Sequence, residues 1–487
     1  MKRTCLLSLA PSLLCMFVLT ATASSAQTFN LLATFDGNNG AQPGSLVQGL
    51  DGNLYGTTGV GGTYQWGTVF QVTPAGSLTA LSSFCRLKNC ADGQNPGGLI
   101  LAEDGNFYGG AGHGGTDNGG TVFRITAAGI RGTVYNFCAQ TNCSDGAIPS
   151  GLVQSAAGTF FGTTLQGGNA DSFGTIFRPS GAHAVITLHA FCSQANCADG
   201  GYPNGLIQAV DGNLYGTTSL GGSSSQYQIY GTVFRMAPNG TFGTLYQFCS
   251  QTNCTDGYGP EAGLVQGSDE NFYGVTPFGG NLPNCFGDGC GTVFRITPEG
   301  NLTTLYTFCS QVSCTDGGAP IGGLIEANDG NLYGTTFSDG FNDAGTVFRI
   351  TSQGDLTTLY NFCASTPCTD GSNPHATLLQ HTNGKIYGTT LSGGVSDEGV
   401  VFSLDLGLPP FAEALSPAGS VGKAVKILGQ GLTGTTGVSF NGTTSSFTVQ
   451  SDTYLSATVP SGATTGYITV NTPSGTLRSN KQFQVVP

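Results

Sequence analysis

Charged residues are scarce in this 487-residue chain. Only 9% of the residues are Asp, Glu, Lys or Arg, and 15 basic residues face 28 acidic ones, which gives a formal net charge of −13. A chain with so few positive charges lacks the basic surface that neutralises phosphates, so we expect no nucleic-acid partner. The acidity is typical of a protein kept soluble outside the cell.

Catalytic and metal-binding motifs are also missing from the sequence. It has no Gly-x-Ser-x-Gly elbow, no His-Glu-x-x-His pair and no sialidase-type Ser-x-Asp-x-Gly-x-Thr-Trp box, and its five histidines stand at no metal-ligand spacing. We therefore predict no catalytic residue set, no metal and no other cofactor. A secreted enzyme acting on glycans, a hydrolase or a lyase, stays open as the alternative.

Long apolar runs are absent after the first 26 residues. Two basic residues follow Met1, an apolar stretch runs from Cys5 to Leu19, and small residues lead up to Ala26. This order is typical of a secretory signal peptide over residues 1–26. An apolar run of about 15 residues is shorter than the roughly 20 that span a bilayer. We expect cleavage after Ala26, no membrane span in the mature chain, and a secreted, cell-surface or periplasmic location.

Cysteine follows a single spacing outside this leader. Two of the 16 cysteines lie in the leader, and the other fourteen form seven Cys-x4-Cys pairs, which favours local disulfides in an oxidising compartment. A zinc site is not expected, because pairs that recur once per repeat would lie too far apart to share one tetrahedral ion. The predicted disulfides join Cys85 to Cys90, Cys138 to Cys143, Cys192 to Cys197, Cys249 to Cys254, Cys285 to Cys290, Cys309 to Cys314 and Cys363 to Cys368.

A short motif recurs seven times along the chain. It reads Gly-Asn-Leu-Tyr-Gly-Thr-Thr at 52–58 and 212–218, and its central aromatic residue returns every 53 to 60 residues. Each copy contains four β-type runs, with tight-turn sequences such as Asp-Gly joining antiparallel neighbours. Four antiparallel strands per repeat of about 50 residues are typical of a propeller blade. The central aromatic residues are Tyr55, Tyr108, Phe161, Tyr215, Tyr273, Tyr333 and Tyr387.

The last copy lacks its fourth strand, and a matching strand stands at the start of the chain. The seventh copy ends at 400–405, whereas residues 29–35 resemble fourth strands such as 302–308. We therefore predict an all-β fold in which residues 27–407 form a seven-bladed β-propeller that is closed by the N-terminal strand. The open alternative, a solenoid or a linear array, leaves that strand unexplained.

The repeat stops near Leu408, and cysteine disappears after it. Alternating runs such as 424–428 and 437–440 predict six or seven short strands in residues 408–487. This spacing is typical of an immunoglobulin-like β-sandwich.

Both parts of the chain resemble known families. Residues 29–406 resemble the GloVer-type tandem repeat of exported bacterial proteins, through the recurring phrases Asn-Leu-Tyr-Gly-Thr-Thr and Gly-Thr-Val-Phe-Arg-Ile-Thr. The segment 410–487 is similar to an IPT/TIG domain, an immunoglobulin-like module, through Leu415-Ser-Pro417, Val438-Ser-Phe-Asn-Gly442 and Ala457-Thr-Val-Pro460. The first resemblance implies an extracellular location without an established activity, and the second implies a spacer or cohesion module.

Each connection between copies carries a polar residue at the same position, and in six copies this residue is an aspartate. We interpret these residues as turn formers that hydrogen-bond their own loop, because asparagine takes the position in the first connection. A ring of Ca²⁺ ligands is the alternative, but one carboxylate per copy does not supply several oxygens within about 2.6 Å of an ion. The turn residues are Asn39, Asp92, Asp145, Asp199, Asp256, Asp316 and Asp370. Recurring third-strand arginines, which we interpret as packing residues, are Arg124, Arg178, Arg235, Arg295 and Arg349.

The loops between the second and third strands differ from copy to copy and hold aromatic residues. Variable loops on one face of a rigid scaffold are where recognition usually resides, and Tyr and Trp stack on sugar rings. We therefore predict a monomeric, non-catalytic extracellular protein that binds a polysaccharide or another cell-surface ligand through these loops. The predicted ligand-binding residues are Tyr64, Trp66, Phe173, Tyr227, Tyr230, Phe278, Phe286 and Phe341.

Overall fold

The chain is almost wholly β-structure, as predicted. The computed structural model describes residues 27–169, 172–180, 184–222, 230–280 and 289–486. In these ranges the helical pieces are five 3-10 turns, each ending at the second cysteine of a Cys-x4-Cys pair. The turns are Lys88–Cys90, Thr141–Cys143, Ala195–Cys197, Thr252–Cys254 and Val312–Cys314. No helix within the described ranges is long and apolar enough to cross a membrane.

Strands between residues 27 and 405 form seven antiparallel sheets in the described part of the chain. The first strand of the described residues is β1 (Thr28–Thr34). Sheet 1 contains β2 (Ala41–Pro43), β3 (Val47–Gln48), β4 (Leu54–Val60), β5 (Thr68–Val72) and β6 (Leu78–Ser83). Sheet 2 contains β7 (Gln94–Leu101), β8 (Phe107–His113), β9 (Thr121–Ile125) and β10 (Arg131–Asn136). Sheet 3 contains β11 (Ala147–Gln154), β12 (Phe160–Gln166), β13 (Thr175–Pro179) and β14 (Val185–Ala190). Sheet 4 contains β15 (Gly201–Gln208), β16 (Leu214–Leu220), β17 (Thr232–Met236) and β18 (Phe242–Gln247).

The remaining repeat sheets follow the same order, and the seventh recruits the first strand. Sheet 5 contains β19 (Val265–Gln266), β20 (Phe272–Thr276), β21 (Thr292–Ile296) and β22 (Leu302–Thr307). Sheet 6 contains β23 (Ile325–Glu326), β24 (Leu332–Thr336), β25 (Thr346–Ile350) and β26 (Leu356–Asn361). Sheet 7 contains β27 (Leu379–Gln380), β28 (Ile386–Thr390), β29 (Val400–Asp405) and β1. The antiparallel pairing of β1 with β29 joins Thr28 to Asp405 and Thr34 to Val400, which confirms the predicted role of the N-terminal strand.

Phenylalanine pairs pack each sheet against the next. The second and third strands are buried on both faces, because each sheet lies between two neighbours. A phenylalanine at the end of each fourth strand meets, edge to face, the phenylalanine of Gly-Thr-Val/Ile-Phe or its equivalent in the following sheet, with ring centroids 4.9 to 5.3 Å apart. Such pairs contribute about 0.5–1.5 kcal/mol beyond their buried area. In chain order the pairs are Phe35 with Phe70, Phe84 with Phe123, Phe137 with Phe177, Phe191 with Phe234, Phe248 with Phe294, Phe308 with Phe348, and Phe362 with Phe402.

A backbone hydrogen bond accompanies each phenylalanine pair. The residue before the proline of each connection has a positive φ, between 50° and 64°, and donates its N–H to a carbonyl in the loop of the preceding sheet, at 2.8 to 3.0 Å. The donors and acceptors in the described chain are Gln42 and Glu398, Asn95 and Trp66, Ile148 and Gly119, Tyr202 and Phe173, Gly259 and Tyr230, Ala319 and Cys290, and Asn373 and Ala344. The bond from Gln42 to Glu398 links sheet 1 to sheet 7, so the cycle of sheets returns to its start. This is a β-propeller-like arrangement.

Glutamine side chains couple the turns that follow the first strands. Gln208 accepts a hydrogen bond from Ala156 N in the preceding turn at 2.8 Å and donates to Gly212 O in its own turn at 3.1 Å. The equivalent acceptors are Gln48, Gln154, Gln266, Glu326 and Gln380, which receive N–H groups of Thr382, Glu103, Val210, Ser268 and Asn328. Leu101 occupies the seventh equivalent position, so the turn at Leu50 receives no such bond from its side chain.

The C-terminal strands form two four-stranded antiparallel sheets around one core, and a parallel pair, β31 with β39, beside them. The strands are β30 (Glu413–Ala414), β31 (Ala418–Ser420), β32 (Ala424–Leu428), β33 (Gly437–Phe440), β34 (Thr443–Ser445), β35 (Phe447–Ser451), β36 (Tyr454–Thr458), β37 (Ile468–Thr472), β38 (Gly475–Arg478) and β39 (Gln484–Val486). The sheet β30-β32-β36-β35 contributes Ile427 and Leu455, and the sheet β34-β33-β37-β38 contributes Phe440 and Val470, to a shared buried cluster. The alternating runs predicted β32, β33, β35, β36, β37 and β39. They missed β30, β31 and β34, which have only two or three residues, and β38, in which one residue of four is buried.

The C-terminal sheets dock on the turns between the first and second strands of the repeat sheets. Lys423 Nζ lies 2.8 Å from Glu103 Oε1 and donates to Ala156 O at 2.9 Å. Thr453 Oγ1 donates to Leu50 O at 2.7 Å. Further donors are Gln484 Nε2 to Val210 O and Gln430 Nε2 to Thr382 Oγ1. Turns of sheets 1, 2, 3, 4 and 7 therefore contact this unit, which covers one face of the ring.

Deletion of residues 27–36 tests closure of the ring. The deletion removes β1 and Phe35, so we expect the melting temperature to fall by at least about 10 °C through lost strand pairing and apolar burial. Circular dichroism of the oxidised protein measures this. Leu31→Ala, on the same strand but 43% exposed, is the control and leaves the melt nearly unchanged. A deletion variant that melts like the intact chain contradicts closure by β1.

Substitution of Gly231 tests the contact between sheets 4 and 5. Gly231 has a φ of +80°, and an added Cβ would collide with Thr218 O and lie 2.9 Å from Pro260 Cδ in the next connection. We expect Gly231→Ala to lower the free energy of unfolding by about 2–4 kcal/mol. Gly212→Ala is the matched control, because Gly212 has nearly the same φ, +81°, while a Cβ on it meets nothing within 4 Å. Urea titration of both variants measures the difference, and equal stabilities would contradict the packing argument.

Candidate functional site

The face opposite the docked unit carries two sets of loops, which we call the loop face. One set contains the cysteine connections between sheets, and the other contains the loops between second and third strands. The two sets hydrogen-bond to each other, as when Gly168 N donates to Cys143 O at 2.9 Å and Gly115 N donates to Cys90 O at 3.0 Å. A ligand that reaches the ring from this side meets variable loops held by a repeated framework.

Six of the seven predicted disulfides are confirmed. They close the pairs that begin at Cys85, Cys138, Cys192, Cys249, Cys309 and Cys363. For the seventh pair, Cys285 lies outside the described residues, while Cys290 is disulfide-bonded. Each six-residue disulfide loop contributes about 2 kcal/mol in the chain-entropy account.

The expectation that every cysteine pair lies far from the others is wrong in the fifth repeat. The Sγ atoms of Cys290, Cys309 and Cys314 all lie within 4.8 Å of one another. The reason is that this copy has two cysteine pairs. One of them, Cys285 with Cys290, falls by sequence in the loop between β20 and β21, not in a connection between sheets. The hydrogen bond from Ala319 N to Cys290 O, 2.8 Å long, holds Cys290 against the following connection.

The carboxylates of the cysteine connections bind their own loops. Asp145 is fully buried and accepts hydrogen bonds from Ala139 N at 3.1 Å, Gln140 N at 3.3 Å and Tyr135 Oη at 2.8 Å. In the first connection Asn39 Oδ1 accepts from Asp36 N at 3.0 Å, which is a similar local turn bond. The repeated acceptors Asp199, Asp256, Asp316 and Asp370 bind the N–H groups of Ser193, Ser250, Ser310 and Ala364 in the same way.

One carboxylate of these connections, and one tyrosine that donates to another, have shifted pKa values. Burial by itself raises the pKa of Asp92, but the Leu87 N–H and the Arg131 guanidinium, 2.6 Å away, outweigh burial and hold that pKa below its ordinary value. Burial and the hydrogen bond to Asp316 raise the pKa of Tyr306 to about 12, so this phenol stays a donor at neutral pH.

The third-strand arginines lie opposite the central tyrosines in the strand register, as with Tyr215 and Arg235. That tyrosine donates to Asp211 Oδ2 at 2.8 Å, and Asn213 Nδ2 donates to the same oxygen at 2.7 Å. Equivalent aspartates are Asp51, Asp104, Asp269 and Asp329. The Asp-Gly-Asn-x-Tyr phrase predicts a tight turn, but the shared carboxylate that ties the turn to the tyrosine is visible only in the structure.

The predicted ligand-binding aromatics divide into exposed and packed residues. Tyr64 and Trp66 are each 42% exposed and Phe341 is 78% exposed, all on the loop face. Phe173, by contrast, is buried: its ring is 5% exposed and packs against Tyr202, with ring centroids 5.6 Å apart. Half-buried Tyr230 and Phe278 both pack on Tyr258, at 5.9 and 5.3 Å. Tyr227 and Phe286 lie outside the described residues.

A cleft of about 620 Å³ opens on the loop face between sheets 2 and 3. Its walls include His113, Asn142 and Gln166, whose side chains hydrogen-bond no other group in the described part of the chain, and Ile148. The position before each Gly-Thr-Val-Phe differs between the two sheets that line the cleft. In sheet 3 that position is Phe173, whose ring packs against Tyr202 of the following connection, whereas in sheet 2 it is Gly119, which brings no side chain to the wall of the cleft.

Sequence reasoning did not find this cleft. The prediction of the binding residues rested on aromatic side chains, and the loop between the second and third strands of the second repeat contains none. The signal was present in the column that reads Trp66, Gly119, Phe173, Tyr230, Cys290, Ala344 and Glu398. Small residues in such a column indicate room for a ligand, although only the structure shows which of those spaces stays open.

The sheets and their common loop face define an all-β repeat protein with a β-propeller-like ring. The chain belongs to the Gloeobacter/Verrucomicrobia repeat family, whose pattern matches residues 16–230, 130–313 and 288–423. No curated protein matches the chain.

Two solved structures that are similar to the chain share little sequence with it. The extracellular domain of a protein assigned as a hybrid two-component system from B. thetaiotaomicron is 12% identical, covers 77% of this chain and 39% of its own length, and gives a TM-score of 0.49. PorZ, a surface component of the type-IX secretion system of Porphyromonas gingivalis, is 13% identical, covers 93% of this chain and 60% of its own length, and gives a TM-score of 0.46. The chain thus spans less than two thirds of either structure.

Replacement of Arg131 tests the buried ion pair of the loop face. Both side chains of the pair are less than a tenth exposed, so Arg131→Met leaves Asp92 buried without its partner, and we expect a loss of about 3 kcal/mol at pH 7. The pKa of Asp92 is lower in the folded protein than in the unfolded chain, so its charge stabilises the fold above the unfolded pKa, and this contribution is lost as pH falls through the folded pKa. The difference in unfolding free energy between wild type and Arg131→Met should therefore shrink below about pH 4.

Urea unfolding at pH 7 and pH 3 measures this effect. Arg124→Met, which removes an exposed arginine in β9, is the control and changes stability by less than about 0.5 kcal/mol. A loss for Arg131→Met that is equal at both pH values would contradict the role of the Asp92 charge.

Proposed function

We propose that the protein is a non-catalytic extracellular binding protein whose loop face recognises a polysaccharide or another cell-surface polymer. The observation that carries this proposal is the division of the ring into two faces. The docked C-terminal sheets contact the turns of one face through Lys423 and Thr453, whereas the loop face holds the cleft between sheets 2 and 3 and the exposed aromatic residues.

The proposed architecture is a seven-bladed β-propeller over residues 27–407 followed by an immunoglobulin-like sandwich of the IPT/TIG type over residues 408–487. The cycle of edge-to-face phenylalanine pairs and the return bond from Gln42 to Glu398 support the blade count. Two antiparallel sheets around one core, with Phe440 and Leu455 facing each other inside it, support the sandwich. Such a ring is rigid because every sheet is buried on both faces, and a rigid scaffold holds variable loops in place for binding.

We propose an exported, monomeric protein, and the cysteine pattern supports the export. Disulfides persist in oxidising compartments, and the leader at 1–26 has the order of a secretory signal. Secretion or attachment at the cell surface therefore fits the chemistry of the chain. The docked unit fits a spacer that keeps the ring at a distance from whatever it is joined to.

The chemistry of the cleft fits a hydroxylated ligand. The imidazole of His113 and the amides of Asn142 and Gln166 offer both donors and acceptors, which match sugar hydroxyls. Ile148 adds an apolar wall, and Tyr64 and Trp66 of sheet 1 offer rings on which a longer polymer can stack. A glycoside hydrolase of the common retaining or inverting type needs paired carboxylates, and the described lining of this cleft contains neither Asp nor Glu.

A glycan and polysaccharide array with the oxidised chain 27–487 tests the proposal. We expect binding, and a loss of affinity of about tenfold or more in the double variant Asn142→Ala and Gln166→Ala, because each lost hydrogen bond to a ligand costs about 0.5–1.5 kcal/mol. Tyr64→Ala with Trp66→Ala reports separately on stacking. Isothermal titration with the best array ligand measures each change.

The matched control is Asn253→Ala. Asn142 and Asn253 occupy the same place in their connections and have the same φ of 57°, so alanine causes the same backbone strain at both, but Asn253 lies outside the cleft. Affinity that survives in this control and falls in the cleft variant places the site between sheets 2 and 3. Absence of binding to every glycan, or equal binding by all variants, overturns the proposal.

A further inference from the structure

Three sulfur atoms meet beneath the loop face at the fifth repeat. Cys309 and Cys314 form one disulfide, and Cys290, itself disulfide-bonded, brings its Sγ within 4.8 Å of both of their sulfurs. Cys309 is 1% exposed and Cys290 is 8% exposed. Two disulfides of different loops are therefore in near contact, a situation that no other cysteine pair of the described chain shares.

The repeat itself explains this proximity. Cys290 stands at the position before Gly-Thr-Val-Phe, and the residue at this position points at the cysteine connection of its own copy. In the third repeat Phe173 belongs to the same buried cluster as Cys197. In the fifth repeat Cys290 belongs to the same cluster as Cys309 and packs with Cys314. The fold thus places a sulfur where other copies place a ring.

We propose that Cys290, Cys309 and Cys314 form a thiol–disulfide exchange site that moves a cross-link between two loops of the fifth repeat. This inference stands apart from the proposed function, because it involves no ligand. It requires a reductant, and the chemical class that fits is an external dithiol, such as a dithiol protein or a small dithiol.

The exchange balances in two steps. The dithiol transfers two electrons and two protons to the disulfide of Cys290, which becomes two thiols while the dithiol becomes a disulfide. The thiolate of Cys290 then attacks one sulfur of the Cys309–Cys314 bond, so that a bond from Cys290 forms, the old bond breaks, and the leaving sulfur departs as a thiolate. The second step involves no net oxidation, and nearness of the sulfurs makes it intramolecular.

The product differs from the starting state in what it connects. Before exchange, Cys309 and Cys314 close a short loop within one connection. Afterwards, the segment that ends at Cys290 is bonded to that connection, and one cysteine of the connection is left as a thiol. The state of these sulfurs therefore sets how the loop between β20 and β21 is anchored to the ring.

The variant Cys285→Ser tests the exchange step directly, because Cys285 is the predicted partner of Cys290. Alkylation at low pH followed by peptide mapping locates the single thiol. We expect the label to be spread over Cys290, Cys309 and Cys314, with on the order of half of Cys290 cross-linked to the connection, since sulfurs in similar settings exchange to comparable populations. Label confined to Cys290 overturns the proposal.

The matched control is Cys249→Ser. It leaves Cys254 as a thiol in an equivalent connection, and no third sulfur of the described chain lies within the same distance of it. The label should stay on Cys254. If Cys285→Ser fails to fold, the wild-type chain treated with less than one equivalent of dithiothreitol provides the second test. Peptides joining Cys290 to Cys309 or Cys314 are then expected, and their absence overturns the proposal as well.

Discussion

The N–H group of the residue before each connecting proline donates to the loop of the preceding sheet, and next to this bond two phenylalanines meet edge to face. No repeat of about 50 residues can bury its second and third strands alone, because both faces of those strands are apolar and each face needs a neighbouring sheet. Stability therefore belongs to the contacts between sheets. The residue that donates this bond has a positive φ, and a glycine lies opposite the proline. Both follow from the contact, because only such a backbone lets the two segments of the chain approach so closely.

Much of the ring could be predicted because each copy repeats the same environment. The tyrosine of Leu-Tyr-Gly-Thr-Thr and the phenylalanine of Gly-Thr-Val-Phe return at fixed places, so strands and turns follow from their spacing. Phe35 could be recognised as a member of the same series even though it stands outside any complete copy. The strand β30, by contrast, has two residues, and pattern arguments need at least four.

The candidate site was harder to predict than the ring, because it depends on contacts between different copies. Phe173 looks like an exposed loop aromatic in sequence, but its neighbour Tyr202 belongs to the next connection and covers it. Cys290 looks like one more local pair, yet it faces the cysteines of a different loop. The cleft between sheets 2 and 3 depends on how loops of two different copies pack, and no single residue type in the sequence marks it.

Glu103 is the only acidic residue at its place in the seven turns, and its contact with Lys423 favours one orientation of the docked unit on a ring whose sheets are nearly alike. Seven similar turns would otherwise accept the unit in seven rotational positions, but the places equivalent to Glu103 hold Leu50, Ala156, Val210, Ser268, Asn328 and Thr382, none of them charged. Lys423 therefore finds its carboxylate in one position alone. The docked unit therefore has one rotational position about the axis of the ring. A polymer that bound along the loop face would lie at a fixed angle to the docked unit.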